Sequence, residues 1–207
     1  EKSSRCGVCF GTTIGAENDI YEHQHRRFLE FGPKAVGRYT APEVTPHVAT
    51  GYICSELKIT GPNSTLSSGC SSGLDIVNWG YSMIRGGEVD MAVVGCADSM
   101  IFPFAMSTFC SLGILSKRNE EPEKASRPYD NDRDGLVASE GGVSIVVEDL
   151  NHALERDANI YAEIVSYATA CEAQDVFHVE LNGKTLFTAL KQALINGKIR
   201  GEEIDYI

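Results

Sequence analysis

The stretch that decides the fold runs Gly61-Pro-Asn-Ser-Thr-Leu-Ser-Ser-Gly-Cys-Ser-Ser-Gly73. A short run with strand propensity stops at small residues and Cys70, and an apolar stretch with helical spacing follows. A strand-to-helix elbow of this kind places the cysteine at a helix N-terminus, where unpaired backbone N–H groups and the helix dipole favour the thiolate. The pattern therefore marks Cys70 as a candidate nucleophile. Free cysteine is also often buried as a small hydrophobe, so the local pattern alone leaves both interpretations open.

The composition is that of a globular protein. Of the 207 residues, 43% are hydrophobic and 23% are charged, which excludes the disordered and fibrous classes. The formal net charge of -11 argues against nucleic acid or an anionic membrane surface as the main partner, because both bind basic surfaces. No apolar run approaches the roughly 20 residues that span a bilayer, and no signal peptide opens the sequence.

Seven cysteines are scattered through the chain without the density of a secreted disulfide scaffold. Their odd number and dispersed positions fit a reducing, cytoplasmic location. Cys6 and Cys9 form a C-x-x-C pair, but no second pair of cysteines or histidines follows at the spacing of a zinc site. We therefore expect this pair to lie within a strand, and we expect no metal.

Strand-like and helix-like segments alternate along the chain, which is typical of an α/β fold with parallel strands. The sequence predicts a strand before Cys70 and further strands at residues 5–10, 89–95, 141–148, 160–170 and, beginning at the end of the chain, 204–207. It predicts helices at residues 17–31, 46–57, 71–85, 149–156 and 183–196. The 89–95 strand is expected in the core of a parallel sheet, and the 71–85 helix is expected to be buried on most sides. Irregular segments are expected at residues 32–46 and 117–134.

Three blocks carry a resemblance to a known family. They are Gly61-Pro62 with Ser68-Gly69-Cys70-Ser71-Ser72-Gly73, the run from Gly86 to Asp98, and the run from Ser126-Arg127-Pro128-Tyr129-Asp130 through Arg133-Asp134-Gly135 to Gly142. In their order and spacing the chain resembles the β-ketoacyl-acyl carrier protein synthases, the condensing enzymes of fatty acid and polyketide synthesis. The family more often has alanine at the position of Gly69.

The resemblance implies a thiolase-like layered α/β fold (α-β-α-β-α), incomplete in this chain, with residues 1–207 as one partial ketosynthase domain. It also implies a homodimer, or a heterodimer with a ketosynthase-like chain. Relative to the family, the chain is expected to begin after the first βαβ portion and to end before the segment with the first catalytic histidine. None of the five histidines matches a catalytic position of the family: His23, His25, His47, His152 and His178. We therefore expect this chain alone not to catalyse condensation.

The resemblance also assigns site residues. Cys70 would attack an acyl thioester carried on phosphopantetheine, with its own backbone N–H as an oxyanion donor. The phosphopantetheine arrives on an acyl carrier protein, and no resident cofactor is expected. Ile14 and Phe109 correspond to residues of the acyl pocket, with plain core packing as the alternative. Lys34 and Arg38 correspond to basic residues that meet the carrier protein, with a solvated surface as the alternative.

Two further expectations concern the surroundings of the site. The charged residues Arg127, Asp130, Arg133 and Asp134 are interpreted as a structural ion-pair network that supports the site, because such networks also occur without catalysis. The Tyr39–Pro42 stretch is expected, by analogy with the family, as a loop that approaches the pocket of a dimer partner.

Three functions compete at this point. The leading hypothesis is an acyltransferase of the condensing type, whose Cys70 accepts an acyl group for decarboxylative Claisen condensation with malonyl-carrier. A non-catalytic partner subunit that shapes the acyl pocket is the second, although such subunits typically replace the nucleophile. A thiolase-like transferase acting on coenzyme A thioesters is the third, and the Arg127-Pro128 block disfavours it.

Overall fold

The computed structural model describes residues 2–15, 17–174 and 179–207. The chain divides into two compact units, residues 1–154 and residues 155–207. The single partial domain expected over residues 1–207 stays a prediction.

The first unit is built on a mixed four-stranded sheet with the strand order β2-β1-β3-β4. The strands are β1 (Cys6–Gly11), β2 (Asn63–Leu66), β3 (Met91–Asp98) and β4 (Gly141–Glu148). β1 pairs in parallel with both β2 and β3, and β4 pairs with β3 in the antiparallel direction. The prediction of a purely parallel sheet around the 89–95 strand is therefore wrong on one side, because β4 runs against β3.

Helices connect the strands and follow them. They are α1 (Glu17–Phe31), α2 (Thr40–Glu43), α3 (Val48–Leu57), α4 (Ser72–Arg85), α5 (Pro103–Leu112), α6 (Leu150–Glu155) and α7 (Lys184–Gly197). The predicted helices are confirmed to within two residues at each end. None of the helices in the described part of the chain has the length and hydropathy that crossing a membrane requires.

The core lies between α4 and the sheet. Its buried members are Cys9, Ile76, Ala92, Val94 and Val147. The prediction that α4 is buried on most sides is confirmed in part, because most of its residues are buried or half-buried but three are exposed. Ile76 and Gly80 are buried against the sheet, whereas Leu74 is 68% exposed, because the sheet covers only one face of the helix.

The two irregular segments contain short helical turns. Residues 32–46 include a 3-10 turn at Pro33–Ala35 and the four-residue helix α2, so much of the expected Tyr39–Pro42 loop is helical. Residues 117–134 contain one 3-10 turn, Pro122–Lys124, and are otherwise irregular, as predicted.

The second unit contains α7 and the segment before it. The strands predicted at residues 160–170 and 204–207 are not formed, because neither segment pairs with a strand among the described residues. A strand needs such a partner for its ladder of hydrogen bonds. Instead, the 160–170 segment bonds to α7, where the Ser166 hydroxyl donates to the Ala193 carbonyl at 2.8 Å.

Candidate active site

The carboxyl ends of β1, β2 and β3 meet at one edge of the sheet. Gly11, the last residue of β1, lies opposite Leu66 of β2 and Cys96 of β3. The loop after β1, the elbow after β2 and the end of β3 therefore lie next to one another. This edge is where open α/β sheets most often bind their ligands.

Asp98 ends β3 and accepts hydrogen bonds from four consecutive residues of the loop after β1. Its Oδ1 accepts the Thr12 hydroxyl at 3.0 Å and the backbone N–H groups of Thr13, Ile14 and Gly15 at 2.9, 2.7 and 2.9 Å. Burial of this carboxyl opposes its charged form, but the three N–H groups and the hydroxyl outweigh burial and lower the pKa of Asp98. The side chain is therefore a carboxylate at neutral pH, and it holds the whole turn.

The same loop bonds to the elbow. The Thr12 N–H donates to the Leu66 carbonyl at 3.2 Å, and the Thr13 hydroxyl donates to the Gly69 carbonyl at 2.9 Å. The Gly69 carbonyl also accepts from the N–H and the hydroxyl of Ser72, at 3.0 and 2.6 Å. The residue before Cys70 is thus held by the loop after β1 on one side and by the first residue of α4 on the other.

Cys70 lies on the predicted elbow, between the end of β2 and the start of α4, and its side chain is exposed. Cys70 is therefore not the small buried hydrophobe of the alternative interpretation. The hydroxyls of Ser68 and Ser71 flank it, and both donate to the Asp75 carboxylate, that of Ser71 at 3.2 Å. An exposed thiol in a backbone fixed on both sides can react with a substrate, and that role stays a prediction.

Gly69 adopts a left-handed backbone conformation with φ of 70°. A side chain is strained in this conformation, so glycine suits the position where the family more often has alanine. A Cβ built on Gly69 meets no atom within 4 Å, which leaves backbone strain as the cost of substitution.

We expect Gly69→Ala to lower the free energy of unfolding of the intact protein by about 1 kcal/mol, measured by urea denaturation. Gly141→Ala is the matched control, because its Cβ also meets no atom within 4 Å and its backbone is not left-handed. The control should change stability by less than about 0.5 kcal/mol. Equal losses in both variants would contradict the strain argument.

The two expected acyl-pocket residues lie on different elements. Ile14 belongs to the loop held by Asp98, and Phe109 lies on α5; both side chains are half-buried. An open groove of about 490 Å³ runs along α5, but Phe109 is not among its lining residues, which are Phe104, Ser107, Thr108, Ser111 and Leu112. A groove of about 390 Å³ beside the elbow is lined by Leu66, Ser67, Ser68, Asp75, Asn78, Trp79 and Ser82. The pocket role of Ile14 and Phe109 stays a prediction.

The two expected docking residues are exposed. Lys34 lies in the 3-10 turn after α1, and Arg38 follows it before α2. The Arg38 guanidinium stacks over the Tyr39 ring, 5.6 Å from its centroid. Both cations are accessible to a partner, and their docking role stays a prediction.

The charged block forms separate pairs. Arg127 Nη1 lies 3.9 Å from Asp130 Oδ1, while Arg133 donates to the Asp130 backbone carbonyl at 2.7 Å. Asp134 pairs with Arg118, which the sequence did not single out, with Arg118 Nε 3.5 Å from Asp134 Oδ1. These bonds tie the irregular 117–134 segment together; whether the segment supports the site stays a prediction.

The remaining cysteine and histidine expectations concern other parts of the chain. Cys6 and Cys9 lie in β1, as predicted, and both are buried; burial raises the pKa of Cys9 to about 12.

Of the histidines, His178 lies outside the described residues, and the others lie on or next to helices: His23 and His25 on α1, His47 before α3 and His152 on α6. His152 bonds to Glu148 of β4 through Nδ1, at 2.5 Å from Oε1.

Asp98 and Thr13 were missed as site residues. Asp98 is the last residue of a block that carries the family resemblance, and the sequence pattern did not single out Thr13. The sequence contained a signal for both residues. Thr13 and Asp98 each come shortly after a strand of the predicted parallel sheet, and the carboxyl ends of parallel strands meet at one edge of the sheet.

Comparison with known families and sequences agrees with this geometry. The family model described as "Beta-ketoacyl synthase, N-terminal domain" matches residues 1–153. A 3-oxoacyl-[acyl-carrier-protein] synthase 2 of Vibrio cholerae is 33% identical over 207 residues, which is 100% of this chain and 50% of that protein. The tetracenomycin polyketide synthase ketoacyl synthase alpha subunit of Streptomyces glaucescens is 32% identical over 98% of this chain and 49% of its own length.

Solved structures give the same result. A ketosynthase bound to a hexaketide, in complex with a type II polyketide acyl carrier protein, superposes with a TM-score of 0.93 at 26% identity, over 100% of this chain and 52% of that chain. The ishigamide ketosynthase/chain length factor superposes with a TM-score of 0.85 at 29% identity, over 97% of this chain and 48% of that chain.

The chain thus spans about half the length of the relatives it matches. Its α/β architecture is the thiolase-like fold of these ketosynthases, as the sequence predicted. The family match extends to residue 153, within one residue of the boundary between the two compact units. On these grounds the chain belongs to the β-ketoacyl synthase family.

Proposed function

We propose that Cys70 accepts an acyl group from the thioester of an acyl carrier protein and holds it for condensation. The Cys70 thiol gives up its proton, and its sulfur attacks the thioester carbonyl carbon and forms a new C–S bond. The bond from that carbon to the phosphopantetheine sulfur breaks, and the carrier thiolate leaves and takes up a proton. The observation that carries the proposal is an exposed Cys70 on a strand-to-helix elbow, at the shared carboxyl edge of three strands.

The relatives support this class of reaction. Those cited above are named as acyl carrier protein synthases or polyketide ketosynthases, and one solved neighbour is a ketosynthase in complex with an acyl carrier protein. The second substrate would be malonyl-carrier, whose decarboxylation gives the enolate that attacks the acyl group. Stabilising that enolate needs hydrogen-bond donors that the proposal does not assign to any residue of this chain.

The carrier would dock near Lys34 and Arg38. The chain as a whole has a net charge of -11, so an acidic carrier protein needs a local basic site to approach it. Both cations are exposed, and only three residues separate them. In this proposal the carrier supplies phosphopantetheine, and the protein holds no resident cofactor.

Three further roles belong to the same proposal. The half-buried side chains of Ile14 and Phe109 would line the acyl pocket. The paired residues Arg127, Asp130, Arg133 and Asp134 would brace the segment beside the site. The protein would form a homodimer, or a heterodimer with a ketosynthase-like chain.

The alternative function is a non-catalytic partner subunit, and one of the solved neighbours supports it. One solved neighbour is a ketosynthase paired with a chain length factor, so the family includes such pairs. The presence of Cys70 on the elbow favours the acyl acceptor over this alternative.

Mass spectrometry tests the proposal. The intact protein is incubated with acyl carrier protein loaded with short, medium or long acyl groups, digested and mapped. We expect a mass increase equal to the acyl group on the peptide that contains Cys70. If no acyl group is transferred, or if another cysteine receives it, the proposed role of Cys70 is wrong.

A further inference from the structure

The Gly69–Cys70 peptide unit joins two features of the site. Its carbonyl oxygen belongs to Gly69 and accepts the Thr13 hydroxyl at 2.9 Å. Its N–H belongs to Cys70 and is the oxyanion donor that the resemblance to the ketosynthases implies for the proposed acyl transfer. A trans peptide is planar, so its C=O and N–H point in opposite directions. Any group that fixes the direction of the Gly69 carbonyl therefore also fixes the direction of the Cys70 N–H.

Thr13 is itself held by Asp98. The Thr13 N–H donates to both carboxylate oxygens of Asp98, at 2.9 and 3.1 Å. The neighbouring N–H groups of Ile14 and Gly15 donate to the same carboxylate, so the turn has several anchors. Thr13 thus uses its backbone to bind Asp98 and its side chain to bind the elbow.

We propose that Asp98 and Thr13 are positioning residues that aim the Cys70 N–H at the oxygen of the acyl thioester. The inference rests on the proposed function and explains how the Cys70 N–H is oriented for it. The carboxylate fixes the turn, the turn fixes the Thr13 hydroxyl, and the hydroxyl, together with the two donors of Ser72, fixes the peptide that carries the oxyanion donor. Neither residue touches the reacting atoms.

The bonding of Gly69 sets the expected size of the effect. Its carbonyl keeps two other donors, the N–H and the hydroxyl of Ser72, if the Thr13 hydroxyl is removed. Thr13 is also exposed, so removing its hydroxyl leaves no buried polar group without a partner. The Thr13→Val variant should therefore fold normally. It should orient the Cys70 N–H less precisely without disordering the rest of the elbow.

The test compares two reactions of Cys70 in the intact protein. Acylation by the carrier thioester builds negative charge on the carbonyl oxygen and needs the oxyanion donor. Alkylation by iodoacetamide displaces iodide and builds no such charge, so it reports only the access and reactivity of the thiol. We expect Thr13→Val to slow acylation at saturating carrier about tenfold, the effect of one hydrogen bond, and to change alkylation less than about twofold.

Three variants sharpen the comparison. Thr13→Ser keeps the hydroxyl and should acylate at close to the wild-type rate. Asp98→Asn has one acceptor oxygen fewer and places an amide donor against the turn, so it should slow acylation more than Thr13→Val. Thr188→Val is the matched control, because its hydroxyl also donates to a backbone carbonyl at 2.9 Å, on α7. This control should match the wild type in both reactions.

The outcomes separate this inference from the proposed function. A wild-type protein that does not acylate at Cys70 defeats both. A wild-type protein that acylates, with Thr13→Val acylating at the same rate, defeats only the positioning role. The positioning role is also wrong if acylation and alkylation fall together in Thr13→Val, because that result indicates general disorder of the elbow.

Discussion

Cys70→Ala is expected to abolish acyl transfer from the carrier thioester to this protein, because it removes the nucleophile of the proposed mechanism. Loss of a nucleophile that forms a covalent intermediate lowers the rate by at least about a thousandfold. Cys70→Ser should be nearly as slow, because a hydroxyl is a weak nucleophile unless an adjacent base activates it. The measurement is the rate of appearance of the acyl adduct by mass spectrometry.

Cys110→Ala is the matched control for this result. Cys110 is also exposed and free, but it lies on α5, and no feature of the sequence or the site marks it as a nucleophile. We expect the control to acylate at the wild-type rate. An adduct that persists in Cys70→Ala and disappears in Cys110→Ala would place the acyl acceptor on α5 instead of the elbow and reject the proposed function.

The elbow could be predicted from the sequence because its determinants are local. The start of α4 follows from neighbouring residues and lies within one residue of the prediction, and β2 ends at Leu66, where the run of small residues begins. The same holds for the charged 117–134 segment, where proline and clustered charges disfavour regular structure.

The support beneath the elbow could not be predicted in the same way. Thr13 and Asp98 are 85 residues apart in the sequence, and only the parallel pairing of β1 with β3 brings them together. Which strands become neighbours is a property of the whole sheet. The prediction of a strand at residues 160–170 was wrong for a related reason. The apolar pattern of this segment is a local property, but a strand also needs a pairing partner that is distant in the sequence.

Gly80→Ala is expected to destabilise the intact protein by about 1–3 kcal/mol, the usual cost of overpacking a core. Gly80 lies where α4 presses on the sheet. A Cβ built there would lie 2.6 Å from Val147 Cγ2 and 2.9 Å from Val94 Cγ1, closer than carbon atoms can pack. Val94 is fully buried and Val147 is 7% exposed, so neither side chain has free space to move into. The measurement is the midpoint of urea denaturation and the melting temperature.

Gly51→Ala supplies the control for this effect. Gly51 also lies within a helix, α3, but a Cβ there meets no atom within 4 Å. The same substitution should therefore stabilise the protein by up to about 1 kcal/mol, because alanine favours helix formation over glycine. Opposite signs at Gly80 and Gly51 separate packing from helix propensity, and a stabilising Gly80→Ala would contradict the close approach of α4 to the sheet.

A double variant tests which contact is responsible. Val147→Ala removes the methyl group that the new Cβ would meet at 2.6 Å. By itself Val147→Ala should destabilise the protein, because it leaves a cavity in the core. Combined with Gly80→Ala, the added methyl fills part of that cavity, so the loss of the double variant should be smaller than the sum of the two single losses by at least about 0.5 kcal/mol. Additive losses would mean that Val147 does not limit the approach of α4 to the sheet.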